Sequence, residues 1–139
     1  MRARHWLAVL IVALAAGGAG LVVLRAAGSG QGGGVTLGGA GGRYSVTVVL
    51  DHATPGEVSV QITVLTAQRT PADVDAVTVS AAMPGMGHAT TPLVARRGAD
   101  GRYLARGELF AMAGVWQLGI DVRGASGAEF ITVDVAVRS

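Results

Sequence analysis

The sequence contains no cysteine and no lysine, and each absence excludes a class of function. Without cysteine the chain cannot form a disulfide, a cysteine zinc site, an iron–sulfur cluster or a catalytic thiolate. Without lysine its glycine-rich stretch cannot be a phosphate-binding P-loop, which ends in Gly-Lys followed by Ser or Thr. Only 14% of the 139 residues are charged and half are apolar, which excludes a disordered acidic or basic chain.

Positive charge is also scarce in the part of the chain that is predicted to fold. Three of the eleven arginines precede residue 43, which leaves eight arginines against nine acidic residues in 43–139. Proteins that bind nucleic acid neutralise phosphates with clustered basic residues on the domain itself. We therefore expect no nucleic-acid partner.

An uncharged run of 19 residues, 6–24, begins after two arginines and ends at Arg25. As a helix it would span about 28 Å, close to the hydrocarbon thickness of about 30 Å. The preceding arginines predict a cytoplasmic N-terminus and an extracytoplasmic C-terminal domain. Residues 1–25 are accordingly predicted to be a single-pass signal anchor in the cytoplasmic membrane. A cleaved signal peptide is the alternative, because small residues at 17–20 offer a cleavage site, and the domain would then be secreted.

Glycine dominates the segment that follows this run. Nine of the eighteen residues in 25–42 are glycine. Such a composition cannot pack a core and behaves as a tether. Residues 26–42 are therefore predicted to be a flexible linker.

From Arg43 onward, apolar and polar residues alternate with a period of two, as they do in half-buried strands. Turn signals rich in Pro, Gly and Asp separate the alternating segments. Residues 43–139 are predicted to be an all-β domain, an immunoglobulin-like antiparallel β-sandwich without the inter-sheet disulfide. The seven predicted strands are 46–50, 58–64, 77–79, 93–95, 103–109, 115–122 and 130–137.

Methionine is concentrated in two predicted loops of this domain. Met83 and Met86 belong to a Met-Pro-Gly-Met-Gly-His segment that ends at His88, and Met112 follows the fifth predicted strand. Thioether sulfur is a soft ligand that favours Cu(I), and imidazole also suits copper. These four residues are the predicted metal ligands. The alternative is that the methionines fill gaps at the edge of the core.

Strand parity predicts that the two methionine loops lie together. In an antiparallel sandwich the loops after the first, third and fifth strands share one pole, and these loops contain His52, segment 83–88 and Met112. The linker would enter the first strand at the opposite pole, so we expect the methionines to face away from the membrane. His52 is not included in the predicted site, because it and Asp51, as adjacent strand residues, would point to opposite faces.

The sequence offers no catalytic constellation. The segment Gly124-Ala125-Ser126-Gly127 lacks the Gly-x-Ser-x-Gly spacing of a nucleophile elbow and precedes a predicted strand rather than a helix. The protein is therefore predicted not to be an enzyme.

Four segments occur in an order that is found in a known family. They are Val77-Thr78-Val79, Met-Pro-Gly-Met-Gly-His at 83–88, Asp-Gly-Arg-Tyr at 100–103 and Met-Ala-Gly-Val-Trp-Gln-Leu at 112–118. In them the chain resembles the YtkA-like domain family and, more distantly, the FixH proteins and the CopC-like copper-resistance domains. The resemblance implies an extracytoplasmic β-sandwich, membrane-anchored or secreted, that accompanies copper-resistance, metal-efflux or oxidase-assembly components. The chain lacks the His-x-His pair of the copper-resistance pattern, which disfavours Cu(II).

Two functions are consistent with these observations. The first is a membrane-anchored module for metal homeostasis that holds Cu(I) for delivery or sequestration, with a membrane metal transporter or an oxidase-assembly protein as its partner. The alternative is a metal-independent interaction module, in which the same loops dock on a membrane partner as an adaptable apolar contact. Replacing methionine by leucine distinguishes the two, because it removes sulfur and keeps size and apolarity.

Overall fold

The structure, a computed structural model, describes residues 33–139, and this part of the chain is built from strands without a helix. The predicted anchor and linker residues 26–32 lie outside the described residues. Within 33–139 there is no helix of the length and apolarity needed to cross a bilayer. The strands are β1 Val35–Ala40, β2 Tyr44–Leu50, β3 Gly56–Thr66, β4 Ala76–Met83, β5 His88–Ala89, β6 Leu93–Arg97, β7 Tyr103–Phe110, β8 Gly114–Gly124 and β9 Gly127–Val137.

The strands form one antiparallel sheet that bends back on itself. Their order is β1-β2-β3-β7-β6-β4-β8-β9, and β5 pairs with β4. β6 belongs to both halves of the sheet, because Ala95 pairs with Val77 of β4 while Arg97 pairs with Tyr103 of β7. The first strand then packs against the last, so that the sheet is nearly closed around its core.

The core of the described chain is apolar, because none of its buried residues is polar or charged and all of them have a hydrophobic side chain except Gly39 and Gly119. Alternate residues of each strand face inward, as the burial of Val77, Val79, Ala81 and Met83 along β4 illustrates. Trp116 is the largest fully buried residue. Burial of this apolar surface, at about 25 cal/mol per Å², is the main force that stabilises the fold.

The prediction of an all-β antiparallel domain is confirmed, whereas the predicted number of strands is wrong. All seven predicted segments form strands, and they are β2, β3, β4, β6, β7, β8 and β9. β5 is a pair of residues inside the predicted methionine loop, and β1 lies in the segment assigned to the linker. The two predicted sheets are joined by β6 into one, because this strand pairs on both sides.

Glycine in β1 serves close packing against β9. A Cβ at Gly39 would lie 2.7 Å from Val133 Cγ1 and 2.8 Å from Ile131 Cγ2. A Cβ at Gly41, in the turn that follows β1, would overlap the carboxylate of Glu129. These two glycines of the predicted linker therefore allow the first strand to approach the last.

Because of β1, the chain enters the domain at a different end of the sheet from the one predicted. Val35 pairs with Leu50, so β1 begins where β2 ends. A Cβ at Gly34 would lie 3.7 Å from the carbonyl oxygen of Leu50 and 4.0 Å from that of Asp51. The chain thus enters at the end that holds the loops after β2, β4 and β7. The expectation that it enters at the opposite pole is wrong, because the additional strand reverses its direction once more.

A polar cluster fastens β1 and β2 to β9 at the other end of the sheet. The carboxylate of Glu129 accepts hydrogen bonds from the backbone N–H groups of Gly42, Arg43 and Tyr44, at 2.6, 3.1 and 2.8 Å. The Arg43 guanidinium donates to the carbonyl of Ser126, and the Tyr44 hydroxyl lies 2.7 Å from Ser126 Oγ. The turn between β1 and β2 is therefore held on the hairpin of β8 and β9.

Candidate functional site

Three loops and the end of the chain meet at one end of the sheet, which we call the methionine pole. It comprises residues 51–55, 84–87, 111–113 and 138–139. The pairing of Gly56 with Phe110 brings the first of these loops beside the third. The backbone N–H of Arg138 donates to the carbonyl of Ala53 at 3.0 Å, which joins the end of β9 to the first loop. The three loops predicted to share a pole do so.

Met83 and His88 face each other across the hairpin of β4 and β5. They are direct register partners, and directly opposed residues share one face of a sheet with Cβ atoms about 4.5–5.5 Å apart. Met83 is the last inward-facing residue of β4 and is only 8% exposed, while His88 is exposed. Met83 and His88 are thus cross-strand neighbours at the rim of the core.

The turn between these two residues is Pro84-Gly85-Met86-Gly87. The backbone N–H of Met86 donates to the carbonyl of Met83 at 3.0 Å, which closes the turn. Gly87 has a φ of +67°, a left-handed conformation that glycine adopts at little cost. The Met86 side chain is 58% exposed. This second methionine is therefore on the surface, whereas Met83 is buried.

Met83 also contacts the segment that follows Met112. A Cβ at Gly114 would lie 2.8 Å from Met83 Cε and 3.8 Å from its Sδ. Gly114 has a φ of +143°, a backbone conformation that favours glycine there. The Met83 thioether thus lies against the backbone two residues after Met112.

Trp116 holds the loop that carries Met112. Its indole Nε1–H donates to the carbonyl of Met112 at 2.9 Å. Its ring packs edge-on against Phe110, with centroids 5.8 Å apart and planes at 62°. The loop is therefore fixed at both of its ends by buried aromatic residues, while the side chain of Met112 stays 37% exposed.

His52 has a separate local environment on the first loop. Its Nδ1 lies 3.0 Å from Asp51 Oδ1, and the same oxygen accepts the backbone N–H groups of His52 and Ser59. Among residues 33–139, no three side chains of His, Asp or Glu converge where they could hold a metal ion. Of the four predicted ligands, Met83 and His88 are register partners, and Met86 and Met112 lie on neighbouring loops.

Two residues that hold this end of the sheet are not among the predicted ligands. Gly114 and Trp116 hold no ligand atom, but they position Met83 and Met112. The segment Met-Ala-Gly-Val-Trp at 112–116 could have indicated these roles in the sequence. It places a glycine and then an indole shortly after a methionine.

The described surface also contains two grooves. One of about 370 Å³ adjoins the methionine pole between the segment after β5 and the end of β7, and it is lined by Leu93, Phe110 and Ala111 among others. The larger one, of about 660 Å³, lies on the outer face of β2, β3 and β7, where Val49 and Leu104 are exposed. The volume of a groove therefore does not identify the methionine pole as the candidate site. The pole is chosen for the thioether and imidazole side chains near it.

Comparison with known proteins gives one match. The model of the YtkA-like family matches residues 40–121, which is 82 of the 139 residues. The match includes all four predicted ligands and ends before β9, although that strand pairs with β8 from end to end. No curated protein and no solved structure matches the chain.

Proposed function

The chain belongs to the YtkA-like family, and from this premise we propose that it is a membrane-anchored, extracytoplasmic module that binds Cu(I) for delivery or sequestration. The ligands are Met83, Met86, His88 and Met112, and the copper ion is cargo rather than a catalytic cofactor. The register pairing of Met83 with His88 across the hairpin of β4 and β5, at the rim of the core, is the observation that carries the proposal.

The chemistry of the donors supports a soft monovalent ion. Three thioethers and one imidazole are ligands suited to Cu(I), whereas Mg²⁺ and Ca²⁺ need oxygen ligands. Loop 84–87 carries no charged residue, and neither does loop 111–113. A site with uncharged ligands and neutral surroundings suits a monovalent cation better than a divalent one.

Each donor has a distinct structural role in this proposal. Met83 is held by the core and by Gly114, so it supplies a fixed sulfur. Met86 and Met112 are partly exposed on neighbouring loops, so their sulfurs can turn toward the ion without unpacking the core. An arrangement of one fixed and two adaptable thioethers allows both capture and release.

A competitive Cu(I) titration tests this function. The full chain in detergent is titrated under anaerobic, reducing conditions against a chromogenic Cu(I) chelator, beside the variant Met83→Leu/Met86→Leu. We expect one ion per chain in the wild type and loss of competition in the variant. Leucine for methionine costs less than about 1.5 kcal/mol in a core, so the variant should still fold, and a thermal melt checks this.

Imidazole variants provide a matched control. His88→Gln removes the predicted ligand, whereas His52→Gln removes an imidazole from the neighbouring loop. We expect weaker Cu(I) binding in the first variant and wild-type binding in the second. Equal affinity in the wild type and in the methionine double variant would overturn the proposed site.

A second function is favoured by the exposed apolar side chains at the same pole. Met86 is 58% exposed, Met112 37% and Val115 64%. In this alternative the loops dock on a membrane partner without metal. A wild-type chain that does not compete for Cu(I), together with leucine variants that keep their biological activity, would favour docking over copper binding.

A further inference from the structure

The two ends of the sheet differ sharply in charge. The end opposite to the methionine pole, which we call the charged pole, comprises loops 41–43, 67–75, 98–102 and 125–126. Its loops carry six charged side chains, and these are Arg43, Arg69, Asp73, Asp75, Asp100 and Arg102. The methionine pole carries two, Asp51 and Arg138, and its loops 84–87 and 111–113 carry none. One end of the domain is therefore suited to water and the other to a less polar surface.

Apolar side chains project from the end that lacks charge. Met86 and Met112 are exposed on its loops, and Val115 is 64% exposed just inside β8. Flexible apolar side chains on an uncharged surface are typical of contacts with lipid or protein. Arg138 at the edge of this surface can pair with lipid phosphate while its aliphatic stem lies along apolar groups.

The position at which the chain enters the domain relates this surface to the membrane. The uncharged run of the predicted anchor ends at residue 24, and β1 begins at Val35 beside Leu50, at the methionine pole. The ten residues 25–34 reach at most about 35 Å. β3, which has 11 residues, extends for about 36 Å. The charged pole could therefore face the bilayer only if the connecting chain ran fully extended along the whole domain.

From these three observations we propose that the methionine pole faces the bilayer and rests on its lipid surface. Met86, Met112 and Val115 lie at the interface, and the charged pole points into the extracytoplasmic space. The inference rests on the proposed membrane anchoring and is independent of copper binding. Where copper is bound, it is then exchanged at the membrane surface.

Site-specific fluorescence tests this orientation, and the absence of native cysteine makes the labelling clean. Single cysteines are introduced by Met86→Cys and Ala113→Cys at the methionine pole and by Ala99→Cys and Ala125→Cys at the charged pole. All four positions are exposed, and the Ala113 variant keeps every predicted ligand. Each labelled full chain is reconstituted into phosphatidylcholine vesicles with and without a nitroxide on the lipid headgroup.

The expected result is a large loss of emission by the nitroxide at positions 86 and 113 and little loss at 99 and 125. Equal loss at all four positions, or greater loss at 99 and 125, would overturn the proposed orientation. Flotation of the vesicles tests the anchor separately, because a chain that stays with the soluble fraction would overturn the membrane anchoring itself. A thermal melt of each labelled variant confirms that the fold is kept.

Discussion

Alanine substitution at two adjacent glycines tests whether β1 is part of the folded domain. In Gly39→Ala the new methyl group would lie 2.7 Å from Val133 Cγ1 and 2.8 Å from Ile131 Cγ2. Both neighbours are β-branched and turn stiffly about χ1, so they cannot move aside freely. Overpacking of this kind costs about 1–3 kcal/mol in the free energy of unfolding. For a domain of about 100 residues, each kcal/mol lowers Tm by about 4 °C or more.

Gly38→Ala is the matched control. A Cβ at Gly38 would meet no heavy atom within 4 Å, and Gly38 does not have a positive φ. Alanine there restricts only the unfolded chain, which stabilises a protein by about 0.4–1 kcal/mol. The two variants therefore change Tm in opposite directions, although they add the same methyl group to neighbouring residues.

Thermal unfolding of the full chain in one detergent, followed by circular dichroism, measures both variants against the wild type. Urea unfolding gives the free energies and shows, through an unchanged m-value, that the compared states are alike. If both variants melt with the wild type, β1 is not packed on β9, and residues 33–42 are the flexible linker that their glycine content indicates.

Two further substitutions probe polar contacts that hold the fold. Glu129→Gln removes the negative charge of a carboxylate that accepts hydrogen bonds from three backbone N–H groups. Because hydrogen bonds to charged groups are stronger than those to neutral ones, we expect the free energy of unfolding, measured in urea, to fall by about 1–2 kcal/mol. Asp134→Asn, an exposed site on the same strand, should change stability by less than about 0.5 kcal/mol, and equal effects would contradict this role for Glu129. Tyr103→Phe removes a buried hydroxyl that accepts the N–H of Val74 at 3.1 Å, and we expect a loss of about 1–2 kcal/mol by the same assay. Unchanged stability in the tyrosine variant would mean that water satisfies that N–H group.

The strands that could be predicted from the sequence are those in which apolar and polar side chains alternate. Alternation along β3 and β8 reflects one face on the core and one in solvent, and it is visible in the sequence. β1 has three residues with little or no side chain, so its alternation is limited to Val35 and Leu37. The glycine content of this segment predicts flexibility, whereas Gly39 and Gly41 allow close contact with β9. The close approach of Val133 and Ile131 to Gly39 distinguishes a glycine needed for packing from one in a flexible linker, and it is visible only in the structure.

The candidate site was predictable in its chemistry and only partly in its geometry. The affinity of thioether and imidazole for copper follows from residue type alone, and strand parity placed the three loops together. The missed strand β1 precedes all seven predicted strands, so it does not change which of their loops share a pole. It does reverse the end of the sheet at which the chain enters, and that prediction was wrong. Met83 faces the core because it continues the alternation along β4, whereas the exposure of Met86 depends on the turn that contains Gly87, and the sequence alone does not determine that turn.

The packing of β1 against β9 has a consequence for how the protein is made. Gly39 and Val133 meet although most of the domain's sequence lies between them. Bringing together such distant segments is entropically costly and slows folding, as it does in other proteins dominated by non-local contacts. During synthesis the first strand therefore stays without its final neighbour until the last strand has emerged. A chain that is cut short before β9 loses the strand on which both β1 and β8 pack. Completion of the C-terminus is thus the step that commits this domain to its native state.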